Sequence, residues 1–201
     1  MKIFTYKIVR DYGFAPNPFH GVLTLATCKP KIRSGAKIGD LIFGCGSKSN
    51  GMIDKIIYVM EVNEKISFDE YWSDAQYESK KPCLYSSKSW WYGDNIYHRN
   101  NDGVWIQEDS HHSFERGLIN ERNVKTDTSS NNVLVSRNFI YWGKNAILMP
   151  DFLSNFKGES LYPNTRDYRS SFSKELVVRA NQWFESIPFR GFKGKPIDWD
   201  R

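Results

Sequence analysis

Two apolar stretches joined by a short polar turn constrain the fold of this chain more than any other feature. The stretch Lys37-Ile38-Gly39-Asp40-Leu41-Ile42-Phe43-Gly44-Cys45-Gly46 is followed, after the turn at 47–51, by residues 53–62 with Ile56, Ile57, Tyr58 and Val59. β-branched and aromatic residues suit a pleated surface, and a turn-length gap makes a hairpin-like pair of buried strands the simplest arrangement. Residues 1–9 alternate through Ile3, Thr5, Lys7 and Val9 and read as a first strand, residues 22–28 as a second, and residues 103–107 and 133–142 as others. Residues 68–77 read as a short helix behind the cap Ser67, stopped by Lys80-Lys81-Pro82. In residues 172–187, Leu176, Ala180, Trp183, Phe184 and Ile187 recur at helical spacing, with Ser171 or Ser173 as cap. The polar run 121–132 predicts a mobile surface loop, and residues 191–201 an irregular segment packed through Phe192 and Trp199.

Many short strands with two or so helices predict an α+β fold around a small, strongly bent sheet or barrel. At 201 residues one domain is expected over 1–201, with a core that needs no metal or disulfide support. Cys28, Cys45 and Cys83 are odd in number and lack C-x-x-C spacing, which points to a reducing, cytoplasmic setting rather than a disulfide framework or zinc knuckle. No apolar run reaches the roughly twenty residues that span a bilayer, and the N-terminus lacks a signal-peptide core, so no membrane partner is expected. The net charge of +5 favours polyanionic partners, nucleic acid first.

Chemistry concentrates in Tyr92-Gly93-Asp94-Asn95-Ile96-Tyr97-His98-Arg99 and Trp105-Ile106-Gln107-Glu108-Asp109-Ser110-His111-His112-Ser113. Amides, carboxylates, imidazoles and large rings in so short a span suit a flat, hydrogen-bonding ligand such as a nucleobase. Trp90, Trp91 and Trp105 are candidate stacking surfaces, with core filling as the alternative. Asp94, Asn95 and Gln107 carry donors and acceptors for a base edge, with capping as the alternative for Asp94-Asn95. Lys29-Pro30-Lys31-x-Arg33 is a basic cluster that would meet phosphate, unless Arg33 pairs with Asp40. Cys28, with Lys29 and Arg33 close in sequence, has the surroundings of an activated thiol but no assignable catalytic partner, so a buried or pocket-edge cysteine is its default. Gly44-x-Gly46-Ser47-Lys48-Ser49-x-Gly51 resembles a phosphate loop, yet its spacing is not that of Walker A and a strand follows it, which leaves a turn rimming the site. His111-His112 with Asp109, Glu115, His20 and His98 lacks a metal-ligand pattern; no metal and no cofactor is expected. Glu78-x-Lys80 with Asp69 or Asp74 reads as a solvated surface.

Several of these residues also carry a family resemblance. Asn17-Pro18-Phe19-His20-Gly21, Cys28-Lys29-Pro30-x-Ile32-Arg33, Gly39-Asp40-x-Ile42-x-Gly44-x-Gly46-Ser47, Phe68-Asp69-Glu70-Tyr71-Trp72, Gly93-Asp94-Asn95-Ile96-Tyr97 and Gln107-x-Asp109-Ser110-x-His112-Ser113 resemble the nucleotide-modification-associated domains of the second type. So do Val133-Leu134-x-Ser136-x-x-Phe139-x-Tyr141-x-Gly143 and Gly191-x-x-Gly194-x-Pro196-x-Asp198-Trp199. The resemblance implies a role in phage or bacterial DNA-base hypermodification, with DNA-modification enzymes as partners, and transfers no catalytic residue. The Gly-Asp strand and the Tyr58-Val59-Met60-Glu61-Val62 strand are more loosely similar to PUA-like barrels, including EVE and ASCH domains, which hold modified bases in an aromatic pocket.

The expected function is therefore binding of a nucleotide, or of nucleic acid carrying a modified base. Trp90, Trp91, Trp105 and Tyr97 would stack the base, and Asp94, Asn95 and Gln107 would read its edge. Lys29, Arg33 and Lys48 would face phosphate, while His20 and His112 would line the rim, with Ser47 and Ser110 as further ligand-binding candidates. The alternatives are an enzyme using Asp94 or Asp109 with His112 as acid and base, and a phage-encoded protein that binds a host factor.

Overall fold

The computed structural model describes residues 1–165 and 167–200. Its strands are β1 (Ile3–Lys7), β2 (Leu23–Leu25), β3 (Leu41–Cys45), β4 (Lys55–Glu61), β5 (Glu64–Ile66), β6 (Tyr97–Arg99), β7 (Trp105–Gln107), β8 (Val133–Ser136), β9 (Phe139–Tyr141), β10 (Ile147–Leu148), β11 (Tyr168–Arg169) and β12 (Gly191–Phe192). Its α-helices are α1 (Pro30–Gly35), α2 (Phe68–Ser73), α3 (Lys88–Trp91), α4 (Glu121–Asp127), α5 (Asp151–Ser154) and α6 (Lys174–Ser186). The chain divides into two compact units: unit 1 takes Met1–Tyr12, Ala36–Asn63 and the chain from Ser136 onward, and unit 2 takes Gly13–Gly35 and Glu64–Val135.

Unit 1 is built on a mixed sheet in the order β11-β1-β3-β4-β9-β12, with β10 also on β4. The expected antiparallel pair is β3 and β4, and β1 lies parallel to β3. Among the described residues this sheet is open, which corrects the barrel alternative: β11 and β12 stand at its two ends, each paired on one side only, so no ladder closes it. Ser173 caps α6 by accepting from Leu176 N–H, and the helix lays Leu176, Ala180 and Phe184 against Ile3, Leu41, Phe43, Val59 and Ile140. In the turn that resembles a phosphate loop, Gly44 and Gly46 serve packing. A Cβ on Gly44 would stand 2.1 Å from the Tyr58 ring, and one on Gly46 would stand 2.0 Å from the Met52 carbonyl.

The expected strand over 133–142 is two strands of different sheets. At the break, Asn63 Oδ1 accepts from the amides of both Arg137 and Asn138, so neither is available to a ladder.

Unit 2 holds a β2-β8-β5 sheet, to which β8 contributes its unit 2 residues, and the β6-β7 hairpin. Ser67 forms a capping box with Glu70 at the start of α2, as its sequence position suggested. The expected loop at 121–132 is a correction: Asn120 caps α4 by accepting from Asn123 N–H, and Glu121 sits in the first turn, where a negative charge favours the helix end.

Candidate functional site

Unit 2 contains two buried polar clusters. In the first, Asp94 is fully buried and accepts from Thr24 Oγ1 at 2.7 Å and from Tyr71 OH at 2.8 Å. Lys80, 1% exposed, donates to Asn17 O, Asn17 Oδ1 and Val22 O, which uses all three ammonium protons. Burial pushes the Lys80 ammonium down and the Asp94 carboxyl up, and their mutual attraction opposes both shifts. Asn95, also fully buried, donates Nδ2 to the carbonyl of Tyr71. These groups hold the fold at β2, α2 and the start of β6, and the hydrogen bonds they make run inward, while Asn95 Oδ1 is buried without a partner.

The second cluster joins three chain segments at Cys28, His112 and Asp127. Asp127 ends α4 with its side chain 3% exposed, and its two oxygens divide the work. Oδ1 accepts from Cys28 N–H at 2.8 Å, while Oδ2 faces His112 Nδ1 at 2.8 Å and accepts from Tyr97 OH at 3.0 Å. The carboxylate thereby directs the Nδ1 proton toward itself and turns Nε2 toward the Cys28 thiol, 4.0 Å away. Gln107 Nε2 and Asn123 Nδ2 both donate to the His112 carbonyl, and Gln107 Nε2 also reaches Tyr97 OH. The Phe14 ring lies 4.6 Å from that of His112, so the imidazole is gripped from backbone and ring face alike.

Cys28 itself has φ of +58°, a left-handed conformation that costs a non-glycine residue energy and persists where surrounding bonds enforce it. Arg33 supplies much of that enforcement. Fully buried in α1, it donates to the carbonyls of Cys28, Asp127, Ser130 and Asn132 and lies over the Phe68 ring. Burial lowers it to about 10, against the opposing pull of Asp127 and Cys28, so it stays a cation at neutral pH. For His112, burial works against the charged form, but the hydrogen bonds to Asp127 and Cys28 prevail and push it up to about 9. A thiol beside an imidazole oriented by a carboxylate is the arrangement of nucleophilic thiol catalysis, and a 4.0 Å approach is within the looser range of unliganded sites.

The other expected site residues are dispersed. Arg33 is neither on Asp40, which instead accepts from the amides of Lys2 and Lys37, nor turned outward to phosphate. Ser47 and Lys48 lie in the β3–β4 turn of unit 1, where Asn50 caps the Ser47 amide. Lys29, with φ of +41°, follows Cys28, and its carbonyl accepts from the amides of Ile32 and Arg33. Ser110 Oγ accepts from His112 N–H at 3.3 Å. Asp109 accepts from Ser113 Oγ, and neither it nor Asp94 is the carboxylate on His112; that partner is Asp127. Trp105 packs edge-on against Phe68, under Arg99. Trp90 lies 4.3 Å from the His20 ring, whose buried Nε2 has no hydrogen-bond partner, and Trp91 is 43% exposed.

Sequence reasoning reached Cys28 and His112 separately and missed Asp127. The signal was present in Asn120-Glu121, a helix start whose last turn places Asp127. Among the described residues no group of three or more His, Cys, Asp and Glu side chains could hold a metal ion, and no helix is long and apolar enough to cross a membrane. A cleft of about 850 Å³ in unit 1, lined by Lys2, Phe172, Lys174, Val177, Asn181 and Gln182 among others, has no His, Cys, Asp or Glu in its walls and offers no comparable proton transfer.

A family model described as nucleotide modification associated domain 2 matches residues 1–201. No curated protein and no solved structure matches the chain.

Proposed function

Because the chain belongs to the nucleotide modification associated domain 2 family, we propose that it is a thiol enzyme of nucleotide modification that cleaves or transfers an acyl group on a nucleotide or modified base. The observation that carries this reading is the chain of contacts from Cys28 Sγ through His112 to Asp127, built around a backbone that is left-handed at the cysteine.

The steps follow from the geometry. The Cys28 sulfur, as thiolate, attacks a carbonyl carbon and forms a C–S bond. Collapse of the tetrahedral adduct breaks the bond to the leaving amine or alcohol, which takes its proton from His112 Nε2. Water then attacks the thioester and gives a proton to Nε2; the C–S bond breaks, a carboxylic acid leaves, and the thiolate returns. Asp127 holds the imidazole in orientation and stabilises its charged form throughout. An amine in place of water completes an acyl transfer.

Reaction with p-nitrophenyl acetate, a generic acyl donor, tests this. The expected result is a burst of nitrophenolate with an acetyl group on Cys28 by peptide mass spectrometry, absent in Cys28→Ser and slowed in His112→Ala. Acetylation that ignores both substitutions would overturn the reading.

A binding module without turnover is the second reading, favoured by the unpartnered His20 Nε2 against Trp90. It predicts that Cys28→Ser keeps full function and that Trp90→Ala loses ligand affinity. Nucleic acid as the polymer carrying the substrate, a PUA-like origin for the sheet, and a cytoplasmic setting belong to the same proposal, supported by the basic net charge and the sequence resemblance.

A further inference from the structure

A cavity of about 500 Å³ opens elsewhere in unit 2, walled by Trp72, Glu78, Lys81, Pro82, Cys83, Leu84, Tyr85, Glu108 and Asp109. Its walls carry three carboxylates and one ammonium, opposite in sign to the chain as a whole. One face of Trp72 is taken by the His98 ring, stacked at 4.2 Å with an interplanar angle of 13°. An ammonium 4.0 Å from the same ring centroid cannot share that face, so Lys81 Nζ lies on the other. Lys81 is also paired with Glu78 at 2.6 Å, and His98 Nε2 faces Glu108 Oε1 at 2.8 Å. Tyr85 at the wall is fully exposed. A cation over an indole, flanked by carboxylates, is the chemistry by which proteins hold alkylammonium groups. Here the chain's own lysine occupies that position.

We infer that this cavity binds an alkylammonium group carried by the nucleotide substrate, with Lys81 as an internal occupant that the substrate's ammonium displaces. The connection to catalysis rests on the acyl-transfer reading and on chain geometry. Asp109 in the cavity wall and His112 in the thiol cluster are three residues apart, so their Cα atoms are at most about 11 Å from each other. The turn between them is tied by Ser113 Oγ to Asp109 and by Ser113 N–H to the Ser110 carbonyl. A substrate with a cationic arm in the cavity and a carbonyl at Cys28 would span that short turn.

The test is calorimetry on Cys28→Ser protein, which cannot turn over, so its outcome is independent of whether Cys28 is a nucleophile. The probes are 1,4-diaminobutane, an aminoalkyl-substituted thymidine, thymidine itself and thymidine monophosphate. The expected result is saturable binding of the two amines, weakened about three- to tenfold by Trp72→Leu and by Glu108→Gln with Asp109→Asn. Lys81→Ala should bind the amines more tightly by a similar factor, because it removes the competitor. Independently, a cationic methanethiosulfonate should label Cys83 faster than an anionic one, with the preference increased by Lys81→Ala. Binding of the monophosphate in place of the amines, weaker amine binding in Lys81→Ala, or no charge preference at Cys83 would overturn the inference.

Discussion

Unit 1 hides Ile3, Leu41, Phe43, Val59, Ile140 and Phe184 from water and buries the carboxylates Asp11, Asp40 and Asp198, whereas unit 2 adds two cations, Arg33 and Lys80, to its buried side chains beside Asp94, Asn95 and Asp127. An apolar core is stabilised by area removed from water and tolerates exchange among residues of similar volume. A buried cation or carboxylate is stabilised only where each donor and acceptor meets a partner, so it specifies positions more sharply at greater cost. The thiol cluster lies in the unit of the second kind. Networks that hold Cys28 in a left-handed turn and His112 against Asp127 are what an apolar interior could not supply.

The largest expected effect on this contrast comes from Arg33→Met. It leaves four backbone carbonyls without their donor and should cost about 3–5 kcal/mol in urea unfolding. Arg33→Lys should recover little, because one ammonium cannot reproduce the fork. In unit 1, Phe43→Ala should cost a similar 3–5 kcal/mol by opening a cavity, but Phe43→Leu should recover most of it (roughly 1.5 kcal/mol lost). If Arg33→Lys were as mild as Phe43→Leu, the distinction between the two interiors would fail.

Gly44→Ala comes next, at about 1–3 kcal/mol, because the new methyl meets the Tyr58 ring and Ile8. A neutral result in thermal unfolding would show that the Tyr58 and Ile8 side chains yield at no cost, against the close packing at Gly44.

The mildest test is pH. His112 is raised in the fold to about 9 from an ordinary 6.5, so its contribution is complete below about pH 6.5 and is lost as pH rises through about 9. Wild type minus His112→Gln should therefore shrink by about 1–3 kcal/mol over that interval. A difference that grows with pH would contradict the charged, Asp127-paired imidazole.

The same contrast explains what was legible in the sequence. In unit 1, periodic apolar residues mark β1, β3, β4 and α6, because burial of apolar side chains follows local periodicity. In unit 2, partners are set by tertiary position. Arg33 is tied to carbonyls up to 99 residues away, and His112 meets Cys28 from 84 residues on, distances no local pattern encodes. Asp94 and Asn95 drew attention for their chemistry, yet their hydrogen bonds run to internal partners such as Tyr71. Asp127 was hidden by a polar stretch that reads as a loop until the Asn120 cap is weighed.

If His112, held by Asp127, makes Cys28 a nucleophile, alkylation of the thiol reports it. Iodoacetamide at pH 7, followed by peptide mass spectrometry, reports Cys28 and the exposed Cys83 in the same sample. Half-buried Cys28 should react faster than Cys83, and His112→Ala and Asp127→Asn should each slow Cys28 about tenfold or more while leaving Cys83 unchanged. A Cys28 that reacts more slowly than Cys83 and ignores both substitutions would contradict it.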